Sequence, residues 1–269
     1  MINLATVTCT RDKYPQILQS HSIDLFVSVQ CTHYIFVEDT YTPLSEWEAL
    51  LKHFYTKHKL KILYGVKCPF DRGWVNQQYL KLLAYKYIAD DYIILDSKNF
   101  FIKKSSFDWK FIEGCGWCHY KETDAWYNEY INTVSDKYNK SKPEIIHHIL
   151  TPFKVRKNVL EEIHRQVDLI DVFKLAKFPT EFGLYSIFTD LNLHDNTDTA
   201  EADAIVYPWF SEDELTLTEF EVIDKSKVEI LGVHNKLRGS EKIIKLSEWI
   251  ETKGLNKNII ENAMVKING

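Results

Sequence analysis

A carboxylate follows a short apolar run in the first half of the chain. Ile93, Ile94 and Leu95 form a β-prone stretch, and Asp96 is the first polar residue after it. A cation, Lys98, lies two positions further on. Because open α/β sheets bind ligands at the carboxyl ends of their strands, Asp96 is the primary candidate for a functional residue. The alternative is that Asp96 only caps the turn after its strand.

The predicted helix before this strand carries amides and a second cation. Trp74, Gln77 and Lys81 are spaced to share one helix face, and Gln78 adjoins them. This face is expected to bring an amide and a positive charge close to Asp96. An ordinary solvated helix face is the competing interpretation.

Polar residues also follow the first two predicted strands. Thr8 and Thr10, together with Asp12, are candidates for a ribose, and Arg11 is a candidate for phosphates. Asp39, after the second strand, is a candidate for a nucleotide base. Polar residues are common after strands, so each of these is weak evidence taken alone.

A locally basic segment precedes a predicted helix in the second half of the chain. Its charges include Lys154 and Arg156, which are predicted to form a positive patch with Lys98, Lys103 and Lys104. Such a patch would suit donor phosphates or an anionic acceptor.

The segment Cys115–His119 matches the Cys-x-x-Cys-His pattern of covalent haem attachment and contains half of a zinc site. The haem interpretation lacks an export signal, and the zinc interpretation lacks a second pair of ligands at the usual spacing. We expect a glycine-containing turn in which Trp117 packs or stacks on a sugar.

Strand and helix signals alternate in the first half of the chain and predict an α/β fold with a mostly parallel sheet flanked by helices. The predicted strands are 2–9, 33–37, 60–64, 92–95 and 227–233. The predicted helices are 45–55, begun by a Ser-x-x-Glu capping box, and 75–89, 125–138, 156–176, 180–190 and 240–253. Loops are expected at 138–143 and 193–202.

Composition bounds the class of protein. The 269 residues are 45% hydrophobic and carry a formal charge of −5, which fits a globular domain and argues against a protein coated in positive charge for nucleic acid. The chain shows no signal peptide and no membrane span, and its five cysteines fit a reducing compartment. We predict a cytoplasmic protein with one domain, 1–269, in which the alternating strands and helices of 1–110 precede the largely helical 111–269.

These motifs together resemble a GT-A (Rossmann-like) nucleotide-sugar glycosyltransferase, within an uncharacterised bacterial and phage family of predicted transferases. Members carry a Gly-Trp-x-x-Gln-Gln-x-x-Lys helix, matched from Gly73 to Lys81, and a later Ser-Glu-x-x-x-Tyr segment. They also carry an Asp-Ser-Asp-type strand end. This chain departs at Lys98, which replaces the second carboxylate, and at Thr180, which replaces the serine.

The resemblance implies that 1–110 binds the nucleotide-sugar donor and that 111–269 faces the acceptor. Asp96 would act at the diphosphate, holding Mn²⁺ or Mg²⁺ with His234, unless Lys98 replaces the metal. Glu181 would be the catalytic base. The residues expected to bind the nucleotide-sugar are Thr8, Thr10, Arg11, Asp39, Trp74, Gln77, Gln78, Lys81, Asp96, Lys98, His234 and Lys236. Those expected at the acceptor are Lys154, Arg156 and Tyr185.

The expected reaction moves a hexosyl or pentosyl group from a nucleoside-diphosphate sugar, a UDP-sugar first, to a hydroxyl of a glycan or a lipid-linked precursor. Richness in Lys, Ile, Asn and Tyr fits an AT-rich source such as a phage, acting in the host cytoplasm. A hydroxylated base of phage DNA is therefore an alternative acceptor. The missing second carboxylate leaves a non-catalytic nucleotide-sugar-binding or interaction protein as a rival of another class.

Overall fold

The computed structural model describes residues 1–107, 117–119, 124–147, 151–189, 206–209, 217–233 and 241–268. Its strands are β1 (Ile2–Thr8), β2 (Cys31–Val37), β3 (Lys59–Tyr64), β4 (Tyr92–Asp96), β5 (Asn99–Phe101), β6 (Trp117–His119), β7 (Ile145–His147), β8 (Phe153–Val155), β9 (Val206–Trp209) and β10 (Ile230–Val233).

The helices are α1 (Lys13–Phe26), α2 (Leu44–Leu51), α3 (Gly73–Leu83), α4 (Ala125–Lys137), α5 (Lys157–Gln166), α6 (Leu169–Lys174), α7 (Glu181–Phe188), α8 (Leu217–Lys225), α9 (Glu241–Glu251) and α10 (Lys257–Asn268). Short 3₁₀ turns form at Thr10–Asp12, Lys52–Phe54 and Ala84–Lys86. Among the described residues, no helix is both long enough and apolar enough to cross a bilayer.

The main sheet has five strands in the order β3-β2-β1-β4-β8. The pairs β1–β2 and β2–β3 are parallel, and β4–β8 is antiparallel. All seven residues of β2 are buried, as is usual for an inner strand covered on both faces. The edge strand β3 instead exposes Lys59 and Lys61, a charge pattern that discourages pairing with another chain. A mixed, mostly parallel sheet with flanking helices confirms the predicted α/β fold class.

The chain groups into two compact units that interleave in sequence. Unit 1 comprises Met1–Gly65, Leu95–Trp109 and Asp203–Gly269, and unit 2 comprises Val66–Ile94 and Lys110–Ala202. Residues 66–94 thus group with the later part of the chain. The last 67 residues of unit 1, Asp203–Gly269, group with its N-terminal strands.

Unit 1 contains two apolar clusters that meet at α1. One lies between β2 and α2 and includes Ile35, Trp47 and Leu51, all fully buried. The other joins Leu18 of α1 to β5, β10 and the three C-terminal helices. In this unit β10 also pairs antiparallel with β5 and parallel with β9. The C-terminal residues are therefore part of the core that supports the β4–β5 turn.

Unit 2 is organised around α7, whose first seven residues are all buried. This helix contacts α3, α4, α5 and β7. Gly183 is essential to that packing, because a Cβ placed there would lie 2.7 Å from the Tyr127 ring and 3.1 Å from the Tyr130 ring. The glycine lets the backbone of α7 approach two buried tyrosines of α4.

Most predicted elements are present, and three predictions were wrong. The capping box at Ser45 does not form, because α2 begins at Leu44 after Pro43 and has no side-chain cap. Helix α1 was not predicted. The predicted helix 156–176 is two helices, since the chain turns after Gln166 and the Asp168 side chain accepts hydrogen bonds from the backbone amides of α6.

Thr180 caps α7 as predicted, and residues 138–143 lie in turn and coil. Trp117–His119 form β6, paired antiparallel with β7, so the prediction of a turn there was wrong. The other residues of that motif, and the predicted loop at 193–202, lie outside the described residues. Among the described thiols, Cys9, Cys31 and Cys68 form no disulfide.

Gly183→Ala is expected to destabilise the protein by about 1–3 kcal/mol through overpacking. At a helix position with free space around it, Gly→Ala stabilises by about 1 kcal/mol. The sign of the change in stability therefore distinguishes close packing at Gly183 from open space there. Urea denaturation measures the effect, with Glu129→Ala on the exposed face of α4 as a control that should stay within about 0.5 kcal/mol. A stabilised Gly183→Ala protein would contradict the close packing described for α7.

Candidate functional site

The parallel strands of unit 1 end in register. Thr8 is paired with Val37, and Val37 with Tyr64, so the residues that follow β1 and β2 meet at one edge of the sheet. That edge receives the turn Thr10–Asp12 and Asp39. Thr8 is fully buried, and its hydroxyl has no hydrogen-bond partner among the described residues. The structure therefore brings together the polar strand-end residues predicted in this unit.

Asp39 ties the turn after β2 to the turn after β1. Its carboxylate accepts hydrogen bonds from the Thr10 backbone amide at 2.9 Å and the Thr10 hydroxyl at 2.5 Å. The Thr10 hydroxyl oxygen in turn accepts from the Thr42 amide at 3.1 Å. Asp39 thus has a structural task, and its assignment to a base stays a prediction.

Asp12 forms a charged cluster with the residues after Asp96. Its carboxylate lies 3.6 Å from Lys98 Nζ and accepts from the Ser97 hydroxyl at 3.3 Å. The Arg11 Nε lies 3.9 Å away, although the Arg11 side chain is 73% exposed. Asp12 itself is buried, so these contacts compensate a carboxylate that would otherwise be costly. Arg11 and Lys98 place two cations at the candidate edge.

Asp96 is exposed, and its main chain is held on both sides. The Asp96 amide donates to Asn99 Oδ1 at 2.8 Å, and the Asp96 carbonyl accepts from Gln19 Nε2 at 2.6 Å. The same Gln19 nitrogen donates to the Asn99 carbonyl at 3.1 Å. Gln19 and Asn99 therefore fix the backbone of the β4–β5 turn, and the Asp96 carboxylate is exposed at the surface.

Gln19 belongs to a buried polar network inside unit 1. Its oxygen accepts from the Thr6 hydroxyl at 3.0 Å and from the Gln16 amide at 2.9 Å. Thr6 lies 2.8 Å from Nε2 of His33, and Nδ1 of His33 lies 2.6 Å from the Tyr55 hydroxyl. Burial lowers the pKa of His33 to about 3, so this imidazole is neutral. The network joins the interior of the sheet to the β4–β5 turn, and none of its side chains carries a charge.

The possible metal ligands at this edge suit a cation that arrives with a phosphate ligand better than a cation bound permanently by the protein. Within the described part of the chain, no group of three or more His, Cys, Asp or Glu side chains could hold a metal. Mg²⁺ is commonly held by one or two carboxylates together with substrate phosphates, which Asp96 could satisfy. The Val233 amide donates to the Lys98 carbonyl at 3.1 Å, but His234 and Lys236 lie outside the described residues.

Unit 2 holds a buried ion pair. Lys81 Nζ lies 2.9 Å from Glu181 Oε1, with the two side chains 5% and 2% exposed. The Gln78 amide lies against the same carboxylate; with its nitrogen turned toward Glu181 it donates to both oxygens, and its oxygen accepts from Trp74 Nε1 at 3.2 Å. Trp74, Gln78 and Lys81 therefore lie on one face of α3, linked to Glu181.

The residues related to the ion pair differ in burial. Gln77, expected on the face of Trp74 and Lys81, is half-buried on the same helix, and Gln78 provides the amide beside Glu181. Tyr130 is fully buried, and its pKa is raised well above the ordinary value by burial and then by the Glu181 charge. Glu181 is thus held inside the unit by a cation and an amide.

The predicted acceptor residues in unit 2 lie around β8. Lys154 and Arg156 are half-buried, whereas Tyr185 is 1% exposed. The Tyr185 hydroxyl accepts from the Arg156 amide at 2.8 Å. In unit 1, Lys103 Nζ donates to three backbone carbonyls of residues 223–226, which occupies one cation of the predicted patch. The acceptor assignments stay predictions.

Sequence analysis missed Gln19 and Asn99, which fix the Asp96 turn. Asn99 is only three residues from Asp96, and an asparagine at that spacing is a usual turn-forming residue. Gln19 is 77 residues away in a helix that had not been predicted, and nothing in the sequence signals their contact.

Removing one member of the buried ion pair is expected to be costly. Lys81→Met should destabilise the protein by about 3–5 kcal/mol, because it leaves the Glu181 carboxylate buried without its cation. The double change Lys81→Met with Glu181→Met should be more stable than Lys81→Met alone. Chemical denaturation of the unaltered protein, the two single variants Lys81→Met and Glu181→Met, and the double variant gives the coupling energy. Strictly additive losses would contradict the pairing.

Acid should destabilise the protein through His33. Its pKa is about 3 in the folded protein and 6.5 ordinarily, so protons bind preferentially to the unfolded chain. The stability due to neutral His33 is complete above pH 6.5 and is lost as pH falls toward 3. In His33→Gln, the free energy of unfolding should fall less steeply between about pH 5.5 and 4, by roughly 1.4 kcal/mol per pH unit. An unchanged slope would contradict a buried neutral His33.

Comparison with known proteins gives matches at the level of structure. No family model and no curated protein matches the chain. An active-site mutant of LgtC superposes with a TM-score of 0.54 at 9% identity, covering 93% of this chain and 96% of that chain. The galactosyltransferase LgtC in complex with donor and acceptor sugar analogs gives 0.53 at 8%, with the same coverage.

The apo structure of the bifunctional glycosyltransferase WbbM gives a TM-score of 0.54 at 11% identity, covering 97% of this chain and 51% of that one. These likenesses extend over 93–97% of the chain at 8–11% sequence identity. The resemblance to a particular bacterial and phage family stays a prediction. The chain has the fold of the GT-A glycosyltransferases.

Proposed function

We propose that this protein transfers a sugar from a nucleoside-diphosphate sugar to a hydroxyl acceptor, with the diphosphate bound at the Asp96–Lys98 turn. The observation that carries the proposal is the arrangement of this turn in unit 1. An exposed carboxylate stands on a backbone held by Gln19 and Asn99, and Lys98 lies beside the turn after β1. The GT-A fold supports the same conclusion.

The reaction requires positive charge where the nucleoside diphosphate leaves. The acceptor oxygen forms a bond to the anomeric carbon, the bond from that carbon to the diphosphate breaks, and the acceptor's hydroxyl proton passes to a protein base or to water. Negative charge therefore develops on the phosphate oxygens. Lys98 and the largely exposed Arg11 are the cations that unit 1 offers for this purpose. Thr10 and Asp39, at the same sheet edge, are proposed to hold the nucleoside, whereas the fully buried Thr8 would have to be uncovered to reach it.

A divalent cation is the alternative source of positive charge. Mn²⁺ or Mg²⁺ would be held by Asp96 and the diphosphate, and would act as a Lewis acid on the phosphate oxygens. Lys98 occupies the position at which members of the family that this chain resembles have their second carboxylate. We propose that its ammonium group supplies charge that a more firmly held metal would otherwise supply.

Glu181 is proposed to act mainly as the partner of Lys81. Accepting a proton from an acceptor would require this buried ion pair to open, since Glu181 is 1% exposed and Lys81, Gln78 and Thr180 already bind its oxygens. Its assignment as the base stays a prediction. With Lys81 and Gln78 it fixes one face of α3, where Trp74 is exposed.

The proposal is tested by measuring release of free nucleotide from UDP-, GDP-, CMP- and dTDP-sugars. We expect slow hydrolysis of one donor, reduced at least about 100-fold in Asp96→Asn, since one electrostatic contact at a leaving group is worth about that factor. Asp90→Asn, an exposed carboxylate in the loop before β4, is the matched control and should retain full activity. Equal loss in both variants, or no hydrolysis of any donor, would contradict the proposal.

The source of the positive charge is separated by a metal titration. Lys98→Met should make hydrolysis depend strongly on added Mn²⁺, whereas the unaltered protein should retain activity in EDTA. Lys52→Met, at an exposed lysine of the same unit that has no part in the proposed site, should behave like the unaltered protein. Donor binding by calorimetry without any turnover would instead favour a non-catalytic nucleotide-sugar-binding protein.

A further inference from the structure

Unit 2 presents three aromatic side chains on one surface. Trp74 and Phe178 are each 41% exposed, and Trp126 is half-buried. The Phe178 ring packs edge-on to both indoles, with ring centroids 6.3 Å from Trp74 and 6.1 Å from Trp126. We call these three residues the aromatic surface. A contiguous exposed apolar surface can mark a binding site, whereas single exposed hydrophobic side chains do not.

The polar atoms of both indoles are used inside the protein. Trp74 Nε1 lies 3.2 Å from the Gln78 amide oxygen, and Trp126 Nε1 donates to the Asp124 carboxylate at 3.1 Å. The exposed parts of the rings are therefore carbon surface without unsatisfied donors. A ligand that fits them must present an apolar face of its own.

The rim of the aromatic surface is polar and carries both signs of charge. Asp124 lies beside Trp126, and Lys177 Nζ lies 5.2 Å from the centroid of the Phe178 ring. The Arg72 guanidinium donates to the Lys177 carbonyl at 2.8 Å, which fixes a second cation at the same rim. Carboxylate and guanidinium groups can bind hydroxyls that project from the edge of a ligand.

We propose that the aromatic surface binds a pyranose ring of the acceptor by stacking. A pyranose combines an apolar face of C–H groups with hydroxyls around its edge, which matches carbon surface within a charged rim. The ring positions are also fixed in advance, because Trp74 is tied through Gln78 to the Glu181–Lys81 pair. Pre-ordered aromatic contacts lose little conformational entropy on binding.

The mixed charge of the rim favours a neutral sugar over a nucleic acid. A surface for single-stranded DNA would combine stacking rings with a groove of one positive sign. Here Asp124 adjoins one indole, and the chain as a whole has a formal charge of −5. The proposal rests on the proposed function only in naming the sugar as the acceptor; the stacking itself is a separate claim.

The test is saturation-transfer-difference NMR on the full chain with methyl glycosides of glucose, galactose, mannose and N-acetylglucosamine at tens of millimolar. At least one glycoside should receive saturation, strongest on the ring protons of one face. Trp74→Ala and Phe178→Ala should each weaken binding about 2- to 10-fold, the value of one aromatic contact. Tyr87→Ala, 43% exposed in the same unit, is the matched control and should leave binding unchanged.

Three outcomes overturn the inference: no saturation of any glycoside, equal loss in the Tyr87→Ala control, or binding unaffected by the Trp74 and Phe178 changes. Salt-sensitive binding of a single-stranded oligonucleotide that is lost in those variants, without glycoside binding, also overturns it. Donor hydrolysis is measured on the same proteins. Hydrolysis without glycoside binding refutes only the aromatic surface, and glycoside binding without hydrolysis refutes only the proposed transferase.

Discussion

The turn that presents Asp96 depends on one buried side-chain amide. Gln19 makes four hydrogen bonds: its nitrogen donates to the carbonyls of Asp96 and Asn99, and its oxygen accepts from Thr6 and Gln16. All the hydrogen-bonding capacity of the amide is used, so it adds no uncompensated polar group to the core. Through Thr6 it joins the first strand of the sheet to the turn after the fourth. Asp96 is thus held by the same contacts that organise the interior of unit 1.

Unit 2 also contains a buried polar side chain, and there an oppositely charged side chain stabilises it. Helix α7 is buried along nearly its whole length and begins with a carboxylate, Glu181. That group would be very costly in the interior without Lys81 and the amide of Gln78. Because both partners come from α3, the pair also fixes the face of that helix on which Trp74 is exposed. The Lys81–Glu181 pair therefore stabilises the packing of unit 2 and also fixes the helix face on which Trp74 is exposed.

The sequence predicts elements well where burial is apolar and poorly where it is polar. Strands β1, β2 and β4 are rich in apolar and β-branched residues, and the polar residues that follow them were predicted to form most of the polar edge of unit 1. Helix α1 was missed because its buried face includes Gln16, Gln19, Ser20 and Ser22, which carry no hydrophobic period. The partnership of Lys81 with Glu181 spans 100 residues, so only the folded chain reveals it. Both residues had been selected from the sequence, but for separate tasks.

A crystal structure with the nucleoside diphosphate of the donor would show whether that ligand binds at the Asp96–Lys98 turn, as we propose. Diphosphate density is expected within hydrogen-bonding distance of Lys98 Nζ, and of Asp96 directly or through a cation. The nucleoside should lie toward Thr10 and Asp39. Density for the nucleotide away from this edge, or well-ordered crystals without it at saturating concentration, would refute binding at this turn.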